Sequence, residues 1–428
     1  MYLAGSKTRH DEGGPATPHA GGRRAAGVGG TAIALGAVSL LTDLSSEMIT
    51  AVLPLYLVVG LGMTPLQFGF LDGLYNGVTA FVRLLGGHIA DRWSQHKLVA
   101  GIGYALSAIC KPFLLLSGAS TTALSATLAV DRIGKGIRTA PRDALISLSV
   151  DDAHQGRAFG VHRAMDTAGA LLGPLAAFAL LWLVADAFDA VFIVSFCFAT
   201  LGVLVLIAFV PGRSSLPVGG PRPTLRHTLG ILAVPRFRRL LIAATILGLV
   251  TIGDGFLYLG LQERLDLDIV FFPLLPLGSA LVYLLLAVPM GRLADRVGRR
   301  VPFLLGNLAL LGAYSTLVLP IEGPVLIVMV LMLLGVFYAA TDGVLMALAG
   351  PGIPRESRAG GLALLQTGQA TGRLFAAVMF GAAWTLWGVS TALIAASIAL
   401  LLALIVAAVL IRPDPQKEPD PLKEEEAS

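Results

Sequence analysis

Charge is scarce in this chain: 14% of its 428 residues are Asp, Glu, Lys or Arg, against 55% that are hydrophobic. That leaves too little polar side chain to cover a soluble globule of this length, so water is excluded as the main solvent. Cysteine is scarcer still. Cys110 and Cys197 both lie inside apolar segments, which argues against a disulfide framework or a metal site and assigns them to packing. A phosphate loop of the form Gly-x4-Gly-Lys-Ser/Thr is missing, and Gly134-Lys135-Gly136 sits within an apolar run, which speaks against an ATP-driven pump. There is no Ser/His or His-Glu-x-x-His constellation, so an enzyme is not expected, nor a cofactor, nor a bound metal. The first 30 residues are polar and basic, without the apolar stretch and cleavage site of a secretory signal; residues 1–30 read as a disordered cytoplasmic tail.

What the sequence has instead is apolar runs of 18 or more residues, each long enough to cross roughly 30 Å of hydrocarbon. They predict an all-α membrane protein with twelve transmembrane helices, near 31–59, 67–88, 98–117, 121–141, 158–184 and 189–211, then 239–262, 268–290, 302–320, 323–347, 361–386 and 390–411. The resulting plan is an N-terminal six-helix bundle over 31–211, a cytoplasmic central loop over 212–238, a C-terminal bundle over 239–411 and an acidic cytoplasmic tail over 412–428. Alternate loops collect Lys and Arg, while the other side receives Arg264 alone. A miscounted helix would destroy that asymmetry, so the even count and cytoplasmic placement of both termini support each other. The same placement explains the net charge of +4 without a nucleic-acid partner.

Gly87-His88-Ile89-Ala90-Asp91-Arg92 recurs as Gly291-Arg292-Leu293-Ala294-Asp295-Arg296, after the second helix of each half, so the halves are repeats. Both strings resemble motif A of the major facilitator superfamily (MFS), the second throughout its length with Gly298, Arg299 and Arg300, the first with Ser94, Gln95 and His96 in place of its last three positions. Leu128, Arg132 and Gly136 look like motif B, and Gly160, Gly169, Gly173 and Pro174 like the antiporter motif C, from which Ala177 and Phe178 depart. The chain thus resembles a bacterial, drug/proton antiporter-like MFS member. The resemblance implies two pseudo-symmetric six-helix bundles in a bacterial inner membrane, working as a monomer around a site near the midplane. It also implies that Gly87, Asp91, Arg92, Gly291, Asp295, Arg296, Arg299 and Arg300 form a conformational latch at the cytoplasmic edge.

Charges inside membrane helices cost about 2.5 to 3.5 kcal/mol each on insertion scales, so they face a cavity or a partner. Asp43 and Glu47 share one face of helix one, and Arg132, Lys135, Arg138 and Arg142 form a stripe along helix four. Two readings stay open. One is a static ion-pair network; the other is a proton relay in which Asp43, Glu47 and Asp166 carry the proton and Arg132 is the switching cation. Lys135, Asp254, Asp342, Gln366, Gln369 and Arg373 are candidates for the substrate cavity, with Arg373 either holding an anionic group or pairing with Asp254 or Asp342. Gly160, Gly169 and Gly173 allow close helix approach, and Pro174 bends its helix. The expected partners are a small-molecule substrate, protons as coupling ion and the lipid bilayer. The expected activity is proton-coupled efflux of a small organic solute or drug; the alternative is proton-coupled uptake of an organic anion or metal complex.

Overall fold

In a computed structural model the described residues are 30–93, 95–150, 154–184, 186–211, 230–349, 353 and 358–412. The two tails and most of the central loop lie outside them. The described chain forms twelve helical spans: α1 (Gly30–Leu55), α2 (Pro65–Trp93), α3 (His96–Leu116), α4 (Thr121–Leu148), α5 (Gln155–Leu183) and α6 (Phe188–Phe209), then α7a (Pro235–Leu249) with α7b (Asp254–Leu265), α8 (Leu274–Val297), α9 (Arg300–Val318), α10 (Pro324–Ala349), α11 (Arg358–Trp387) and α12 (Val389–Leu410). Among the described residues nine segments are long and apolar enough to cross a membrane by themselves; α2, α4 and α11 fall short of that because they carry the intramembrane charges and amides. An even number of crossings returns the chain to the face where it began.

Two local features depart from plain helices. Pro54, inside α1, cannot donate to the preceding turn, and the helix widens into a π-turn over Tyr56–Gly60. The seventh span, expected as one continuous helix, breaks between Leu249 and Asp254. Gly253 is extended there (φ −63°, ψ 142°), and Tyr314 of α9 takes up freed backbone groups: Ile252 N–H donates to its hydroxyl at 2.8 Å, and the hydroxyl lies 3.2 Å from the Val250 carbonyl. Non-helical backbone at membrane depth requires such protein partners.

Each half packs within itself, α1 on α5 and α6, α3 on α4, α8 and α9 on α10, and α7a on α11. Gly169 lies against the Leu40 backbone, and a Cβ on Gly173 would stand 2.8 Å from the Leu44 carbonyl oxygen, so small residues bring α1 and α5 together. Gly160, by contrast, has nothing within 4 Å of its missing methyl group. Cys110 is buried as expected, whereas Cys197 is on the outer surface of α6. Arg264, the exception to the charge asymmetry, caps a helix: it donates to the Leu317 carbonyl at 2.6 Å, the Ile321 carbonyl at 3.0 Å and the Leu319 carbonyl, closing the C-terminus of α9.

The halves meet near the face opposite the termini. There α2 carries Gly69, Gly73 and Gly77 against α11, with Gly69 on the Ala377 backbone and Gly73 on Leu374. Leu66 N–H donates to Thr385 Oγ1 at 3.1 Å. Beside them Phe68 of α2 packs edge-on to Phe256 of α7b at 4.7 Å, and Phe256 to Phe380 of α11 at 5.0 Å. These rings form an aromatic cluster that joins the two halves on that side.

Candidate substrate cavity and charge network

The stripe on α4 folds inward. Its spacing of three and four residues puts Arg132, Lys135, Arg138 and Arg142 on one side of the helix, where Asp131 accepts from both neighbours, Lys111 Nζ at 3.4 Å and the Arg132 guanidinium. All three side chains are buried, and the Arg132 guanidinium also lies 3.8 Å over the Tyr75 ring. Nearly two turns on, Arg138 is 3.9 Å from Asp43 and stacks over Tyr104 at 4.5 Å. Further toward the termini side Arg142 meets Asp143 at 3.0 Å and Asp166 at 3.9 Å. Ser39 donates to Asp166 at 2.6 Å, and the Asp43 and Asp166 carboxyl groups lie within hydrogen-bonding reach of each other. A buried charge in this region therefore has an opposite charge or a ring beside it.

The structure brings Asp43 and Asp166 together but gives Arg132 to Asp131, its chain neighbour. Lys135 sits close enough to Asp43 and Glu47 to act on both. Glu47 alone of the four coupling candidates reaches the central cavity.

That cavity, about 380 Å³, lies between α1 and α2 of the first half and α7b, α8, α10 and α11 of the second. Its polar wall is made by Glu47, Asp72, Asn76, Asp254, Asp342 and Arg373, and its aromatic wall by Phe68, Tyr75, Tyr258, Tyr283 and Tyr338. Asp254 owes its position to the break in the seventh span, which places it in the first turn of α7b, and the Tyr338 hydroxyl lies 2.8 Å from both its carboxylate oxygens. Asp72 presses on Gly253 at the same break and accepts from the Asn76 amide at 3.2 Å. Arg373 lies near enough to Asp72 and Asp254 to act on both, and its Nε is buried without a hydrogen-bond partner. Tyr75 and Tyr258 are held by hydroxyl contacts, to Thr50 at 2.8 Å and Ser279 at 2.6 Å.

Of the six cavity candidates, Asp254, Asp342 and Arg373 line this space, whereas Lys135, Gln366 and Gln369 do not. Asp72, Asn76 and the tyrosines join these three at the cavity wall, a common destination that no linear spacing encodes. The repeat Gly69-x-x-x-Gly73-x-x-x-Gly77 was a legible signal for the α2–α11 contact and went unused. The backbone of Gly87, Asp91 and Arg92 belongs to α2, and their side chains lie outside the described residues. In the second copy Asp295 and Arg296 are exposed, while Arg299 and Arg300 reach carbonyl oxygens of α10 and α12.

The family model described as Major Facilitator Superfamily matches residues 35–282 and 272–428, two stretches that together span both halves. The chain belongs to the major facilitator superfamily. This MFS protein is 32% identical over 274 residues to an uncharacterised MFS-type transporter of Methanocaldococcus jannaschii, across 62% of this chain and 66% of that one. It is also 32% identical over 181 residues to an uncharacterised protein of Mycobacterium tuberculosis, across 42% of this chain and 41% of that one. The chain thus spans just under two thirds and about two fifths of the lengths of these relatives. In fold it is similar to the nucleoside transporter NupG, with a TM-score of 0.75 at 13% identity over 90% of this chain and 100% of that one. A bacterial homologue of the human lysosomal transporter Spinster, in an inward-facing and occupied conformation, gives 0.68 at 15% identity over 90% and 98%. At such identities the likeness concerns fold alone. Membership of this superfamily, together with its long apolar helices, makes the chain a multi-pass membrane protein.

Proposed function

We propose that this MFS protein is a secondary active transporter that expels a small, positively charged organic solute across a bacterial inner membrane in exchange for protons. The observation that carries this reading is the charge of the central cavity. Arg132, Arg138 and Arg142 pair with Asp131, Asp43 and Asp166, away from the cavity, whose wall holds Glu47, Asp72, Asp254 and Asp342 against Arg373. A cation with an apolar body satisfies that excess, and tyrosine faces add attraction for it.

Proton coupling finds its support in Glu47, the carboxylate on the cavity wall, and in the Asp43 and Asp166 carboxyls beside it, which can hold one proton between them. Contact between the halves near the face opposite the termini fits a state open toward the termini side. Rocking would then bring Asp91 and Asp295 against helix N-termini of the other half, where the macrodipole favours a carboxylate. The resemblance of Gly160, Gly169, Gly173 and Pro174 to the antiporter motif supports the export direction. A second reading, uptake of an organic anion or metal complex, draws on the buried Nε of Arg373.

The test is purified protein in liposomes with an imposed pH gradient. Uphill accumulation of an organic cation, collapsed by a protonophore, is expected; accumulation of carboxylates under the same gradient instead would favour the second reading, and flux that neither saturates nor responds to pH would reject both.

A further inference from the structure

A second cavity, of about 610 Å³, lies at the termini side of the second half and shares no lining residue with the central one. The ends of five helices enclose it: the first turn of α7a, the C-termini of α8, α10 and α12, and the N-terminus of α9. Arg236, Arg299, Arg300 and Arg412 line it together with Arg239, and Asp295 is the one acid among its described lining residues.

Helix capping accounts for part of this. Arg299 donates to the Ala347 carbonyl at 2.6 Å and Arg300 to the Ala408 carbonyl at 2.6 Å, each within the last turns of a helix whose C-terminus welcomes a cation. A guanidinium carries five donors, however, and these bonds use one from each. Arg300 Nε is buried with no hydrogen-bond partner. Capping also gives no reason for the exposed Arg236 and Arg412 to converge on the same hollow, nor for apolar neighbours such as Val297 and Val301, both about half exposed, to share its rim.

Convergent guanidiniums, with donors of Arg299 and Arg300 left unused, an adjacent helix N-terminus and an apolar rim together describe a receptor for a phosphate group. We propose that this cavity binds one, presented either by an anionic phospholipid of the adjoining leaflet or by a soluble phosphate ester. Cardiolipin and phosphatidylglycerol carry the anion with acyl chains the rim can hold; inorganic phosphate carries the anion alone.

Full-length protein in detergent distinguishes these sources. Native mass spectrometry after delipidation, then titration with cardiolipin, phosphatidylglycerol, phosphatidylcholine and separately inorganic phosphate, reads binding directly. The expected result is retention of one anionic lipid, with affinity falling on the order of tenfold in Arg236→Gln with Arg412→Gln, a pair that leaves both helix caps in place. Arg300→Gln tests the buried fork, and Arg300→Lys, which keeps charge but loses the bidentate geometry, should restore binding only in part. Stabilisation by inorganic phosphate with no preference for anionic lipid assigns the site to a soluble ester. Equal binding of phosphatidylcholine and the anionic lipids together with no response to phosphate, or binding unchanged in the double variant, overturns the proposal.

Discussion

The two halves treat buried charge in opposite ways. In the first half Lys111, Asp131 and Arg132 form a buried triad, and beyond it Arg138 and Arg142 find Asp43 of α1 and Asp166 of α5. In the second half the intramembrane charges are few, and Asp254, Asp342 and Arg373 all line an open cavity. One arrangement is closed upon itself and the other faces a cavity, to which the first half adds Glu47 and Asp72. The lesson is that an ionisable residue in a membrane helix is not by itself a functional assignment: what matters is whether its partner is already inside the protein.

Substitutions can break that contrast, and the largest effect belongs to the closed network. Asp131→Asn leaves Lys111 and Arg132 buried without their anion, and losing one member of a buried ion pair costs about 3 to 5 kcal/mol. Thermal unfolding in detergent should show a large drop in midpoint, with poor recovery of folded protein. If Asp131→Asn unfolds like the parent, the triad is not holding the first half together.

Next comes Asp254→Asn, which removes a carboxylate from the cavity wall without orphaning a buried cation, since Asp72 remains beside Arg373. Thermal stability should stay within about 1 kcal/mol, while affinity for a cationic solute falls by one to two powers of ten, roughly 1.5 to 3 kcal/mol. Equal losses of stability from Asp131→Asn and Asp254→Asn would erase the distinction between network and site. A smaller step is Tyr338→Phe, which takes away the hydroxyl 2.8 Å from both Asp254 oxygens. Because a hydrogen bond to a charged group is worth about 1.5 to 3 kcal/mol when both partners are dry and less in a cavity that water enters, a loss of affinity of about fivefold is expected, with folding unchanged.

How much of this could be read beforehand follows the same division. Twelve crossings, two halves and the position of the charges were legible because hydropathy, loop charge and the Gly87/Gly291 repeat are properties of the chain in order. The α4 stripe was legible as a stripe, since helical spacing fixes its face, yet spacing gave no way to learn that Arg132 turns to Asp131 beside it rather than to Asp43. The break before Asp254 was missed because Val250 to Gly253 is as apolar as a continuous helix and the stabilising group, Tyr314, comes from 62 residues away in the chain. The cavity itself is an assembly of single residues from six elements, so Tyr338 and Asp72 had no signal linking them to Asp254. Lys135, Gln366 and Gln369 had the right polarity and depth but lie outside its lining, which a helical wheel without a neighbour cannot decide.

The smallest effect sharpens the comparison from within one carboxylate. Asp166 has two arginines near it: Arg142 at 3.9 Å, whose side chain is 14% exposed, and Arg163 at 3.6 Å, whose side chain is 76% exposed. Distance alone ranks Arg163 first. Water reverses the order, because an exposed guanidinium is already solvated and gains little from the acid, typically less than about 0.5 kcal/mol for a pair spaced i, i+3 on a helix. Arg142 is sheltered, and its loss would leave Asp166 dependent on Ser39 and on the carboxyl of Asp43. Arg163→Gln should therefore leave both unfolding midpoint and pH-driven transport close to those of the parent, while Arg142→Gln lowers both. Proteoliposome transport measured beside thermal unfolding separates the two variants, and a large transport defect in Arg163→Gln would show that the surface arginine, rather than the sheltered one, governs this carboxylate.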